Sequence, residues 1–159
     1  FKWDLLGSKR YMGELANRVP PRPVNKLTPV IKDIHIKNFI VESAEKLLSV
    51  NGIPEVPCKN VLIENGKINS EKLIHAMNDV DGFTFRNLDI HAKDNNINIL
   101  DGQNILFDEV SFAVPQKEIL TNIKGERSKN IIIQNGKKRT ECSLENPIKV
   151  KELSQNLNK

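Results

Sequence analysis

The chain has 159 residues, a formal net charge of +4, and only 5 % aromatic residues. Its Lys and Arg residues are scattered among 20 acidic ones, whereas nucleic-acid-binding domains usually concentrate basic residues on one face with stacking aromatics. No apolar run is long enough to cross a bilayer, and two cysteines provide no disulfide framework. These features argue against nucleic-acid and membrane partners and fit one domain or part of one.

Residues 1–28 predict a short strand followed by an irregular front loop. Phe1, Trp3 and Leu5 alternate with polar residues, which is typical of a strand. Residues 7–28 carry no periodic apolar pattern and are rich in proline. Long irregular loops in solenoids commonly lie on the functional face.

Five copies of one hexapeptide follow, each a turn-former, then apolar-x-apolar-x, then Asn or, once, Glu. Period-2 alternation predicts a strand, and a repeat of twenty to thirty residues predicts a stacked solenoid. The pattern therefore predicts an all-β fold, a right-handed parallel β-helix with about five coils over residues 29–150. The copies begin at Asp33, Asn60, Gly82, Asn104 and Asn130.

Within a coil, the inward and turn positions follow from the same pattern. Ile34 and Ile36 should point into the core, and Asn38 should turn the chain. Asn suits that turn because it tolerates left-handed backbone and its amide can bond to neighbouring coils. On the third strand of the second coil, Ile74 and Ala76 should point inward. An antiparallel sandwich is the alternative, because it also shows alternation and turn residues.

The ends of the chain lead to a further expectation. Solenoids need capped ends, and residues 151–159 carry Leu153 and Leu157 on one side of a short predicted helix, a candidate cap. Nothing near Phe1 resembles a cap. We therefore expect the C-terminal coils of a longer β-helix, with the upstream coils of the same parent as neighbours.

Residues 11–136 resemble the last coils of glycoside hydrolase family 28, the polygalacturonase-like enzymes, especially the bacterial gut-type branch. The resemblance rests on three strings: TPVIKDIHIKN at 28–38, NGIPEVP at 51–57 and KNVLIEN at 59–65. The second string is similar to a link between coils in that branch and is more specific than the strands around it.

The resemblance implies inverting hydrolysis of pectic chains of α-1,4-linked galacturonic acid, without a metal or other cofactor. Inversion needs a carboxylic acid for the leaving oxygen and a carboxylate base for the attacking water. The family supplies these from Asn-Thr-Asp and Asp-Asp motifs, assisted by His-Gly and Arg-x-Lys. Of these four motifs the chain contains only an Arg-x-Lys, Arg127-Ser128-Lys129. No catalytic residue is therefore assigned to this chain. A secreted or periplasmic parent is expected, because pectin is extracellular.

Acidic residues recur where each coil enters its third strand. Glu45 and Glu71 should lie about 5 Å apart if the coils stack, which is nearer the separation of a retaining pair than of an inverting pair. Each stands beside a lysine, Lys46 or Lys72. Mixed charges at solvated turns are the simpler interpretation.

A binding role is favoured over a catalytic one. Lys46 and Lys72 can pair with galacturonate carboxylates as point charges, and His75 can donate to a hydroxyl. In the front loop, Arg10 is suited to a carboxylate and Tyr11 to a sugar face. These five residues are the candidate substrate-binding residues, and an acidic pectic polysaccharide is the expected partner of the parent.

The sequence is also compatible with two other functions. The chain could belong to a non-catalytic carbohydrate-binding or structural β-helix, or to a pectate lyase-like eliminase. The eliminase would need calcium-binding acids and an arginine base. Asp79, Asp81 and Asp101 do not reproduce a calcium loop, and no pair of His or Cys has the spacing of metal ligands.

Overall fold

The computed structural model describes residues 1–116, 118–142 and 149–151, the last three by their backbone alone. Strands dominate these residues, with one short α-helix and one 3-10 turn between the first two strands. The strands are β1 (Lys2–Asp4), β2 (Lys32–Asn51), β3 (Cys58–Asn78), β4 (Val80–Ala92), β5 (Asn96–Leu100), β6 (Gln103–Ala113), β7 (Glu118–Lys124), β8 (Lys129–Asn135), β9 (Lys138–Cys142) and β10 (Lys149–Lys151); the helix is α1 (Lys9–Met12) and the 3-10 turn is Gly13–Ala16.

The strands stack in parallel, in the register that the hexapeptides predict. Ile34 of β2 pairs with Val61 of β3, which pairs with Phe83 of β4, then Ile105 of β6 and Ile131 of β8. A second parallel ladder joins the third strands of the coils, which lie in β2, β3, β5 and β7. The predicted β-solenoid is confirmed, with about four turns, and the antiparallel sandwich is wrong.

The fifth hexapeptide begins a coil that the described residues do not complete. β9 folds back and pairs antiparallel with β8, because the two-residue loop 136–137 has Gly136 in the left-handed region at φ +57°, a hairpin geometry. β10 likewise pairs antiparallel with β7. The solenoid therefore has about four turns instead of five. The predicted cap at 151–159 lies, except for Lys151, outside the described residues.

The inward side chains form columns that fill the core. Phe83, Phe85 and Phe107 are fully buried, and the rings of Phe85 and Phe107 stack with centroids 4.7 Å apart and planes 6° apart. Full burial of one such side chain contributes about 1.5–3 kcal/mol. The repeated apolar positions therefore stabilise the stacking of neighbouring coils directly.

One inward position differs from the prediction. Ala76 was expected in the core, but Met77 is the fully buried residue. Leu48 pairs with Ile74, while the next residue of β2 pairs with Ala76, so His75 is an extra residue in β3. Such a bulge reverses the alternation beyond it. A strict spacing of two could not anticipate the insertion.

A residue with left-handed backbone stands at each end of the first strand of a coil. At the second end of that strand, asparagine side chains link neighbouring coils. The amide of Asn65 donates to Asn38 at 3.3 Å, and that of Asn87 donates to Asn65 at 2.8 Å. The predicted turn role of Asn is therefore confirmed. The left-handed residues are Asp33, Asn60, Gly82, Asn104 and Asn130 at the strand starts, with φ between +53° and +75°, and Asn38, Asn65, Asn87 and Glu109 at the ends, with φ between +48° and +56°.

Replacing Asn65 should separate the two roles of this turn residue. Asn65→Gly removes the ladder bonds but keeps the left-handed backbone, whereas Asn65→Ala also places an alanine at φ +55°. We expect the free energy of unfolding of the alanine variant to fall below that of the glycine variant by about 1–2 kcal/mol. Urea denaturation measures both. Asn69→Ala, an exposed change on the same strand, should stay within about 0.5 kcal/mol of the parent.

Candidate functional site

Three of the five predicted binding residues lie together. Lys46 and Lys72 are register partners in adjacent coils, and the Nζ of Lys46 is 3.1 Å from Oε1 of Glu45. The pKa of Glu45 is lowered, chiefly by its hydrogen bond to Lys46 and then by the charges of Lys46, Lys72 and His75. The two lysines and the histidine thus surround one exposed carboxylate.

An amide ladder continues this surface across the next two coils. The side-chain amide of Asn98 donates to the carbonyl oxygens of Ile74 and His75 at 3.2 and 3.3 Å. The amide of Asn122 donates to Asn98 at 3.0 Å and to Asn96 at 3.1 Å. We call the surface formed by Lys46, Lys72, His75, Asn98 and Asn122 the third-strand face.

The other two predicted residues belong to the front loop, which together with β1 makes up residues 1–28 and is called the front segment from here on. Arg10 and Tyr11 lie on α1, where the Arg10 guanidinium carbon is 5.6 Å from the centroid of the Tyr11 ring. Tyr11 is 79 % exposed. Among the described residues, no hydrogen bond or ion pair joins this pair to the third-strand face. The five candidates therefore form two groups.

The acids that precede the third strands are held by local partners. Glu71 forms an ion pair with Lys93 at 2.7 Å, and Asp94 accepts a hydrogen bond from the backbone N–H of Leu73 at 2.7 Å. Together with the Glu45–Lys46 pair, these contacts favour the interpretation of mixed charges at solvated turns.

A buried charge cluster, which the sequence reasoning missed, lies at the turns between third and first strands. Asp79 and Asp101 occupy equivalent positions in successive coils, both with left-handed backbone, at φ +50° and +53°. Gly125 follows in the next coil, where a Cβ would collide with the Asp101 carboxylate. The absence of a side chain there leaves room for that carboxylate.

Two arginines enclose this pair of acids. Arg18, from the front segment, donates to both Asp79 and Asp101. Arg127 donates to the same two carboxylates, to the carbonyl oxygen of Pro54 at 3.0 Å, and through its backbone N–H to Asp101 at 3.0 Å. Asp79 is fully buried and Asp101 is 9 % exposed. We call these four charged residues the charged corner.

A second link lies beside the charged corner. Nε of Arg22 donates to Oε1 of Glu55 at 3.2 Å, and its Nη1 donates to the carbonyl oxygen of Leu15 at 2.8 Å. The Glu55 side chain is only 6 % exposed, and its Oε2 has no hydrogen-bond partner among the described residues. The front segment is therefore bound to the solenoid through Arg18 and through Arg22.

The electrostatics of the charged corner disfavour acid–base catalysis. Burial alone would raise the pKa of Asp101, but the N–H of Arg127 and the guanidinium groups of Arg18 and Arg127 outweigh it, so that pKa is lowered. The hydrogen bond to Asp79 raises the pKa of Arg18. A general acid must hold a proton before it reacts. Asp101 is instead held as a carboxylate. The charged corner is therefore a structural ion-pair cluster that holds the front segment on the solenoid.

A nucleophilic cysteine is not available at this corner either. The backbone N–H of Cys58 donates to the carbonyl oxygen of Asp79 at 3.0 Å. Burial, and then the Asp79 charge, raise the pKa of the Cys58 thiol to about 11. Only the thiolate is an effective nucleophile, so Cys58 acts as a small core residue.

One signal for the charged corner was present in the sequence. Asp79 and Asp101 are separated by the same interval as the hexapeptides that begin at Gly82 and Asn104, which places them at one turn position of successive coils. Arg18 gave no such signal, because its segment has no repeat from which a register can be read.

Comparisons with protein-family models, curated proteins and solved structures found no match to this chain. The resemblance to family 28 therefore stays a prediction, and the demonstrated relationship is to the β-solenoid architecture alone. Within the residues that the structure describes, no helix is long and apolar enough to span a membrane.

Asp79→Asn should test the charged corner. Asn keeps the shape and tolerates the left-handed backbone, but it removes the charge that both arginines face. We expect a loss of about 2–4 kcal/mol of unfolding free energy, because removing one partner leaves buried charge uncompensated. Asp81→Asn, two residues away and on an exposed ladder with Asn104, should cost less than about 1 kcal/mol. Equal losses in urea denaturation would contradict the assigned role.

The lowered pKa of Asp101 predicts a pH dependence. Because the folded pKa lies below the unfolded one, Asp101 stabilises the fold fully above about pH 4, the ordinary range of aspartate. This contribution is lost as the pH falls through the lower folded pKa. The unfolding free energy of Asp101→Asn should therefore fall less steeply between about pH 5 and pH 2.5 than that of the parent. Parallel curves in denaturation experiments would show that Asp101 carries no such linkage.

Proposed function

We propose that this solenoid is the polysaccharide-binding, non-catalytic part of a polygalacturonase-like glycoside hydrolase that acts on pectic chains by inverting hydrolysis. The third-strand face would bind the acidic chain. The catalytic residues would belong to other coils of that enzyme.

The observation that carries this proposal is the stacking of Lys46 on Lys72. Like charges directly opposite one another in a sheet destabilise it, and the carboxylate of Glu45 interacts with both lysines. The two lysines stand on neighbouring strands, whose backbones lie about 4.8 Å apart, and such a pair suits a ligand that carries repeated carboxylates. An acidic polysaccharide relieves this repulsion, whereas a neutral one does not.

The neighbouring groups suit a sugar chain. His75 is exposed beside the lysines, and the amide ladder of Asn98 and Asn122 extends the polar surface towards β7. Amide and imidazole groups both donate to and accept from hydroxyls. The face therefore offers point charges for carboxylates and adaptable polar groups for the hydroxyls between them.

The remaining support comes from the acids. Asp79 and Asp101 are bound by arginine, Glu45 and Glu71 are paired with lysine, and Asp94 accepts a backbone hydrogen bond. An inverting pair needs one protonated acid and one free base. These five carboxylates are instead engaged locally, so we expect binding without cleavage. A free-standing carbohydrate-binding β-helix is the second candidate, supported by the same face.

Titration with oligogalacturonate and with a neutral oligosaccharide of equal length tests the proposal. We expect binding of the acidic chain only, weakened by added salt because exposed charges are screened. Lys46→Ala combined with Lys72→Ala should weaken binding at least tenfold, about 1.4 kcal/mol. Isothermal titration calorimetry measures both quantities.

Lys67→Ala is the matched control. Lys67 is an exposed lysine of β3 that stacks on Ile40 at another side of the coil. Its removal lowers the net charge by one, as Lys46→Ala or Lys72→Ala alone does, but leaves the third-strand face intact, so the affinity should stay within about twofold of the parent. An equal loss in this variant would indicate non-specific attraction, and equal binding of the neutral chain would refute recognition of carboxylates.

A further inference from the structure

The first coil is buried only where another strand stacks on it. β1 pairs in parallel with the end of β2, Trp3 opposite Val50. At that end Leu48 and Val50 are fully buried. A parallel strand in register is therefore sufficient to close the core at this side of the solenoid.

The rest of β2 lacks such a cover among the described residues. Ile34 and Ile36 are only half-buried, although their partners one coil below, Val61 and Ile63, are 2 % and 0 % exposed. These side chains occupy the same columns, but among the described residues Ile34 and Ile36 have a neighbouring coil on one side instead of two. The columns of the core thus reach the surface along β2.

The asparagine ladder ends at the same place. Asn38 accepts a hydrogen bond from Asn65 in the coil below, whereas Asn65 both accepts from Asn87 and donates to Asn38. Among the described residues, the amide N–H groups of Asn38 donate to no acceptor. This amide is placed to donate to an Asn of a coil stacked above.

We propose that the open edge of β2, from Lys32 to Lys46, is a docking site for one further coil of the same repeat. The fitting segment is a parallel strand with an apolar-x-apolar core between left-handed Asn or Asp residues. Its apolar side chains would cover Ile34 and Ile36, and its terminal Asn would accept from Asn38. This inference is independent of the carbohydrate proposal.

Strand direction argues against a second copy of the chain as the occupant. Among the described residues, the far end of the solenoid is formed by β9, which runs antiparallel to β8 and exposes Lys138, Arg139 and Glu141. A copy docked through its own β2 would also run antiparallel, so its Asn38 would lie at the opposite end of the strand pair. Neither arrangement continues the ladder. β-strand addition by a matching coil does.

The test uses the whole chain and a synthetic peptide with the sequence of residues 59–69. Within the protein, this same segment of β3 stacks on the opposite edge of β2. Hydrogen exchange of the backbone amides is measured with and without the peptide at millimolar concentration. We expect exchange in β2 to slow at least tenfold, while exchange in β4 and β6 stays unchanged.

Two protein variants make the test specific. Ile36→Asp places a charge in the open column and should remove the protection, whereas Ile40→Asp, on the same strand but 74 % exposed, should retain it. A peptide with Asp at the positions of Val61 and Ile63 should not slow hydrogen exchange in β2 of the unchanged protein. This comparison keeps the test valid if the Ile36 variant does not fold.

Three outcomes would overturn the proposal. The first is unchanged β2 exchange with the matching peptide, and the second is equal protection by the matching and Asp-bearing peptides. The third is a dimer in sedimentation velocity whose β2 is protected without any peptide, because a second copy would then occupy the edge.

Discussion

The left-handed residues at both ends of the first strand set the register on which the whole solenoid depends. Asn38 and Asn65 turn the chain at equivalent positions of successive coils, and their side chains are hydrogen-bonded to each other. Because side chains alternate along a strand, a slip of one residue would move every inward side chain to the surface. Aligned turns prevent that slip, and the apolar columns then supply most of the stability.

Much of the fold could be predicted from the sequence because its determinants are local and repeated. Turn residues, alternation and interval together specify where Ile34, Val61 and Phe83 stack. Two features of the fold could not be predicted in this way. The bulge at His75 inserts a residue without a compositional signal, and the hairpin at Gly136 ends the parallel series, although its glycine resembles the turn-formers that continue the series elsewhere.

The candidate site was less accessible to sequence reasoning, because it combines repeated and irregular parts of the chain. Lys46 and Lys72 could be brought together by counting residues between coils. The partnership of Arg18 with Asp79 and Asp101 could not, since Arg18 lies 61 residues before Asp79 in a segment without periodicity. The charged corner depends on contacts between residues that are distant in the sequence. Its residue types, Arg and Asp, are also common on any solvated surface.

The reversal of direction at β9 has a consequence for self-association. Parallel strands in register can template one another without limit, as fibrous assemblies of identical segments do. Here one end of the solenoid offers parallel pairing and the other offers an antiparallel, charged strand. The described ends of two such molecules therefore do not match in strand direction, and a reversal of this kind disfavours growth of a repetitive β-rich chain into a filament.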